Sequence, residues 1–205
     1  MNVYVESNFV MELALLQEQH ASCEGILSLC DRRAARLVLP AYSLVEPFET
    51  MRRHQAKRRL LKSELDKELR QLSRTSANAD RLKDYGNITS LLVDSAGDDR
   101  QRLESVRSRL LSCADLVLLD GDVLERAASF QSDLGFSVQD AVIAASVFSH
   151  LEASPASRSC FLSRDLDFVD LGIGKDLMAR GCKLLTGFDQ GLQFLRGTLK
   201  LETPS

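Results

Sequence analysis

The chain has 205 residues, 44% of them hydrophobic and 27% charged, with a formal net charge of -3. That length holds one well-buried core, and that composition excludes a disordered chain. The charge balance excludes a global pull toward nucleic acid or membrane, so attraction for a polyanion has to come from a local basic patch.

In chain order, Val3-Tyr4-Val5 reads as a first short strand that ends at Glu6. No basic segment precedes it, and Glu6 and Glu12 interrupt the apolar stretch, so no signal peptide is expected. Cys23 and Cys30 lie seven apart and are placed on one buried helix face. Leu37-Val38-Leu39 is the second strand, with Glu46 a few residues beyond it. Residues 48–112 are strongly charged, almost free of Gly and Pro, and rich in helix formers. Glu64, Asp66, Lys67 and Arg70 are spaced there for pairs three and four apart. This segment reads as two or three long helices inserted into, or projecting from, an α/β body. Breaks are expected near Thr75-Ser76-Ala77-Asn78 and Asp94-Ser95-Ala96-Gly97-Asp98.

Leu116-Val117-Leu118-Leu119 is the third strand. Asp120-Gly121-Asp122 after it has the D-x-D form of a strand-end phosphatase motif, but Leu124 stands where that motif carries Thr or Val. A helix cap with first-turn acids is preferred. Asp140 opens the run Ala141-Val142-Ile143-Ala144-Ala145-Ser146, a helical pattern. The longest apolar run, residues 141–148, is broken only by Ser146 and is far too short to span a bilayer. Ser159-Cys160-Phe161-Leu162 is the fourth strand and leads into Ser163-Arg164-Asp165-Leu166-Asp167-Phe168; Lys183-Leu184-Leu185 is the fifth. Short apolar strands separated by helices predict an α/β fold with a parallel sheet covered on both faces. The tail after Arg196 is expected to fray.

Glu6, Glu46, Asp140, Asp165 and Asp167 thus sit at the mouths of buried elements, where an unpaired carboxylate is costly. In a parallel sheet, ligands gather beyond the carboxyl ends of the strands. Hard oxygen donors converging there suit Mg²⁺ or Mn²⁺. Each acid also has a local reading: Asp140 as a helix cap, Asp165 as an Asx-turn residue, Glu46 as a first-turn acid in capping-box spacing with Ser43. Their joint occurrence favours the metal site.

Four of these segments, in order, resemble the motifs of PIN-domain ribonucleases. They are Val3-Tyr4-Val5-Glu6-Ser7-Asn8-Phe9, Leu39-Pro40-Ala41-Tyr42-Ser43-Leu44-Val45-Glu46, Asp140-Ala141-Val142-Ile143-Ala144-Ala145, and Leu162-Ser163-Arg164-Asp165-Leu166-Asp167-Phe168. The resemblance spans roughly residues 1–50 and 115–195. It implies a Rossmann-like three-layer PIN fold with a central parallel sheet of about five strands. The domain would cover residues 1–198, with 48–112 a helical elaboration and 199–205 a frayed tail. It further implies a Mg²⁺- or Mn²⁺-dependent endoribonuclease with Glu6, Glu46, Asp140 and Asp165 as catalytic quartet, and Glu6, Asp140, Asp165 and Asp167 as metal ligands. Ser7, Asn8 and Ser163 match supporting polar positions. Two departures stand out: the family's first acid is usually Asp, and Pro47 directly follows Glu46, which places that acid at a helix start or kink. Glu6 and the helical middle motivate an alternative, a weak or inactive PIN-like module that binds a protein or RNA partner. An antitoxin partner is a further expectation by analogy.

Arg52, Arg53, Lys57, Arg58, Arg59 and Lys62 form a basic run. Were a helix continuous from Glu46, Arg53 and Lys57 would lie near that acid's face, suited to gripping phosphates of an RNA substrate; the alternative is a solvated helix face. His20, His54 and His150 are isolated from any nucleophile motif, and there is no Walker loop or G-x-G-x-x-G. Trp is absent, which disfavours a stacking platform for bases. The five cysteines are odd in number and form no C-x-x-C pair, which fits structural thiols in a reducing cytoplasm.

Overall fold

Alternate residues of a strand face opposite ways, and this sorts the chain into layers. The structure, a computed structural model, describes residues 1–75, 85–156 and 158–199. Its first half comprises β1 (Asn2–Val5), α1 (Ser7–Leu15), α2 (His20–Asp31), β2 (Arg36–Pro40), a 3-10 turn (Ala41–Leu44), α3 (Glu46–Leu72) and α4 (Tyr85–Cys113). There follow β3 (Asp115–Val117), α5 (Gly121–Leu134), α6 (Val138–Ala153), β4 (Ser159–Leu162), α7 (Asp167–Asp170), α8 (Gly174–Ala179), β5 (Cys182–Leu185) and α9 (Phe188–Leu199).

The five strands form one all-parallel sheet in the order β3-β2-β1-β4-β5. Val3 and Val5 turn to one face, where α1, α2, the C-terminal half of α4, and α9 bury Phe9, Ile26, Leu110 and Phe188. Tyr4 and Phe161 turn to the other face, against α5, α6, α7 and α8 with Ala127, Ala144, Phe168 and Leu177. This is a Rossmann-like three-layer α/β fold, and its parallel sheet covered on both faces is what the strand and helix alternation predicts. Among the described residues no helix is long and apolar enough to cross a membrane.

The strand order reverses between β1 and β4, whose register pairs Val5 with Leu162. Chain flows leftward from β1 through β2 to β3 and rightward from β4 to β5, so a crevice opens at the carboxyl ends of β1 and β4. All the acids of interest are delivered to that edge. Glu6 and the loop carrying Asp165 leave β1 and β4 there, α3 starts there after β2, and α6 must begin there to run back before β4.

Several local expectations are corrected. The break at Asp94-Ser95-Ala96-Gly97-Asp98 does not occur, because α4 runs unbroken through it. Packing against α3 outweighs the cost of Gly97 in mid-helix: Gln55 donates to the Ala96 carbonyl (3.2 Å), and buried Asp99 pairs with Arg58 (3.6 Å). The middle segment therefore shows two long helices among the described residues; the first predicted break falls mostly in residues 76–84, outside them. The third strand stops at Val117, leaving Leu118 and Leu119 exposed beside an edge strand with one neighbour. α9 continues three residues past Arg196 to Leu199, and 200–205 lie outside the described residues. Asp120 caps α5, accepting from the Val123 N–H at 2.9 Å. All five cysteines are free; burial pushes Cys30 and Cys182 up to about 12, which makes them inert thiols.

Candidate metal centre

Glu6 is the N-cap of α1. One carboxylate oxygen accepts the Asn8 backbone N–H (2.7 Å) and the other accepts the Ser163 hydroxyl (3.0 Å). It is 3% exposed, and desolvation pushes its pKa up to about 8. The two hydrogen bonds oppose that rise, while the nearby charges of Glu46 and Asp165 add to it. Ser163 is fully buried and serves both sides of the crevice, since its hydroxyl oxygen also accepts the Asp165 N–H at 3.0 Å.

Asp165 in turn accepts the Asp167 N–H (3.0 Å), an Asx-type turn that starts α7. The local reading of Asp165 is thus realised along with the convergence rather than instead of it. Asp140 is not a cap. Ser137 caps α6, accepting the Asp140 N–H (3.2 Å) and donating its hydroxyl to the Asp140 carboxylate (2.5 Å). That leaves Asp140 in the first helical turn with a carboxylate available to the crevice. Burial holds its pKa above the usual range; the charges of Asp165, Asp167 and Glu46 raise it further, against the Ser137 hydrogen bond.

Asp140, Asp165 and Asp167 each offer one oxygen, and these oxygens lie within 4.8 Å of one another. This is the tight set. Glu6 stands behind it, linked through Ser163. Glu46 stands beside it at the start of α3, where its carboxylate accepts the Ser7 hydroxyl. The capping box drawn from Ser43 to Glu46 does not form: α3 has no side-chain cap, and the buried Ser43 hydroxyl has no hydrogen-bond partner among the described residues. Pro47 is accommodated inside the first turn of α3, where its missing N–H costs nothing. Asn8 contributes its backbone N–H.

The donors are all carboxylate oxygens, with no His or Cys in the set. Three such groups, one exposed to water, fit a hard divalent ion that keeps part of its hydration. Without a cation, like charges repel at this edge and add to the burial that chiefly raises the Glu6 and Asp140 pKa values.

α3 is continuous from Glu46 to Leu72, so Arg53 and Lys57, seven and eleven residues on, return near the Glu46 face at about 100° per residue. Both are exposed, and Arg53 donates to the Thr50 hydroxyl at 3.1 Å. Arg52 instead pairs with Glu49. Sequence reasoning missed Ser137, although Ser137-Val138-Gln139-Asp140 has the spacing of a capping box. It also missed Glu12, a lone acid in the apolar helix Ser7–Leu15, which needed a buried partner. No protein-family model, no curated protein and no solved structure matches this chain.

Proposed function

We propose that the chain is a PIN-like endoribonuclease that depends on Mg²⁺ or Mn²⁺. The observation that carries this reading is the meeting of Asp140, Asp165 and Asp167 at the switch point of a parallel sheet, flanked by Glu6 and Glu46. The choice of RNA rests on the resemblance of the four acidic motifs, and the free thiols support a cytoplasmic location.

The three aspartates would hold the ion, which when bound supplies Lewis-acid chemistry to a phosphodiester. The chain's own residues do the positioning. Ser163 fixes Asp165 against Glu6, and Ser137 fixes the Asp140 rotamer. Glu46, held by Ser7 at the side of the tight set, orients the attacking water and accepts its proton. Arg53 and Lys57 grip phosphates along the α3 face. Replacing both with Ala is expected to weaken RNA binding and flatten its log–log salt dependence by about one to two units. An unchanged slope would assign them to a solvated face.

The direct test is a thermal melt of chelator-treated protein titrated with Mn²⁺. Saturation to about a hundred times Kd should raise Tm by roughly 5–10 °C. A second reading, a binding module, is favoured by one feature: an apolar groove of about 660 Å³ walled by Leu44, Val45, Phe48, Arg107, Leu111 and Leu116. A melting curve that ignores Mn²⁺ would leave that second reading standing and remove the first.

A further inference from the structure

Glu12 is 1% exposed, faces no solvent, and takes no part in the chemistry above. One of its carboxylate oxygens accepts from the Arg164 guanidinium and the other accepts the Gln19 backbone N–H at 2.9 Å. The same Arg164 nitrogen reaches the exposed Glu18 at 3.3 Å. Gln19 passes the link on, its side-chain oxygen accepting the Phe188 N–H (2.6 Å) at the start of α9.

Arg164 stands between Ser163 and Asp165 in the chain. Its neighbours turn toward Glu6 and toward Asp140, while its own side chain turns to the α1 layer on the opposite face of the sheet. The loop after β4 therefore straddles the sheet edge. It is pinned to one helical layer by Arg164, and it presents Asp165 and Asp167 to the N-terminus of α6 in the other layer. A buried carboxylate with both oxygens used is a fixed anchor, and a guanidinium bound to it cannot swing into the acidic crevice as an internal counter-ion.

We infer that Glu12 and Arg164 are a positioning pair that sets the reach of Asp165 and Asp167 to Asp140, and with it the cation affinity of the crevice. The inference rests on the metal reading proposed above and extends it to two residues that touch no ligand.

The test is Mn²⁺ titration of the chelator-stripped chain by calorimetry at constant pH and ionic strength. Glu12→Gln keeps the shape but puts an NH2 donor where one of the two accepting oxygens stands, so it opposes a donor to either the Arg164 guanidinium or the Gln19 N–H. Glu18→Gln removes one negative charge from the same guanidinium at an exposed site, and is the charge-matched control. Glu12→Gln is expected to weaken Mn²⁺ binding about ten-fold or more, the usual scale for losing a group that orients ligands, with Glu18→Gln within about two-fold of the parent. The double variant Glu12→Gln/Arg164→Met leaves net charge unchanged, and its loss should match that of Glu12→Gln. Melting in chelator shows that each variant is folded at the titration temperature. If Glu12→Gln weakens Mn²⁺ binding no more than Glu18→Gln does, the pair does not position the aspartates. A parent chain that binds no Mn²⁺ at all overturns the metal reading itself, and the positioning role with it.

Discussion

Asp140→Asn should lower Mn²⁺-dependent RNA cleavage by about two to three orders of magnitude while leaving the fold at least as stable. The asparagine oxygen can still accept the Ser137 hydroxyl, so the α6 N-terminus keeps its cap and its side-chain bond. What disappears is a charge that burial and three neighbouring acids already disfavour. Metal-free melting should therefore hold or rise. The activity loss reflects several kcal/mol of transition-state charge stabilisation that a complete ligand set provides, at about 1.4 kcal/mol per ten-fold. Single-turnover cleavage and chelator-treated melts, run on the same preparations, separate the two effects. A variant that cleaves as fast as the parent would sink the assignment of this cluster.

The second large effect concerns Glu6 and pH. Its pKa is raised from 4.5 to about 8 in the folded chain, chiefly by burial. Below 4.5 the group is protonated in folded and unfolded states alike, and its contribution is at its most favourable. Between 4.5 and 8 the folded state binds more protons than the unfolded one, so metal-free stability is lost as pH rises through this window. The slope approaches about 1.4 kcal/mol per pH unit at most. Glu6→Gln should remove that dependence and melt higher than the parent at pH 8 in chelator. Mn²⁺ affinity of the parent should rise over the same interval, as protons leave the cluster. Equal pH profiles of parent and Glu6→Gln in chelator would show that Glu6 ionises normally. Glu6→Asp then reports on reach: with one methylene fewer, the carboxylate must give up either the Asn8 N–H or the Ser163 hydroxyl.

The strands were legible because each is a short apolar run bounded by polar residues, and Ser159–Leu162 falls where the pattern puts it. The convergence of the acids was legible for a topological reason. In a parallel sheet every strand exit and every crossover-helix entry shares one edge, so acids at those positions meet wherever they stand in sequence. Their ranking was not legible. Asp167 joins the tight set while Glu6 is drawn behind it, and that depends on the turn Asp165 makes with the Asp167 N–H. The Glu12–Arg164 link joins residues 152 apart and carries no periodic signal. Gly97 misled because helix propensity is local, whereas the contacts holding α4 straight come from α3.

The two long helices have unequal standing. Leu103 and Leu110 of α4 are fully buried in the core cluster that holds β1, and Arg102 donates to the Ala14 carbonyl at the end of α1 (2.9 Å). Leu61, Leu65 and Leu72 of α3 are exposed. The segment is thus an appendage at its tip and a wall of the domain at its root. Excising 48–112 as a unit would strip one face of the sheet, whereas shortening the tip would spare it. By the same geometry, shortening both helices equally away from this root would keep Arg102, Leu103 and Leu110 in register with α1.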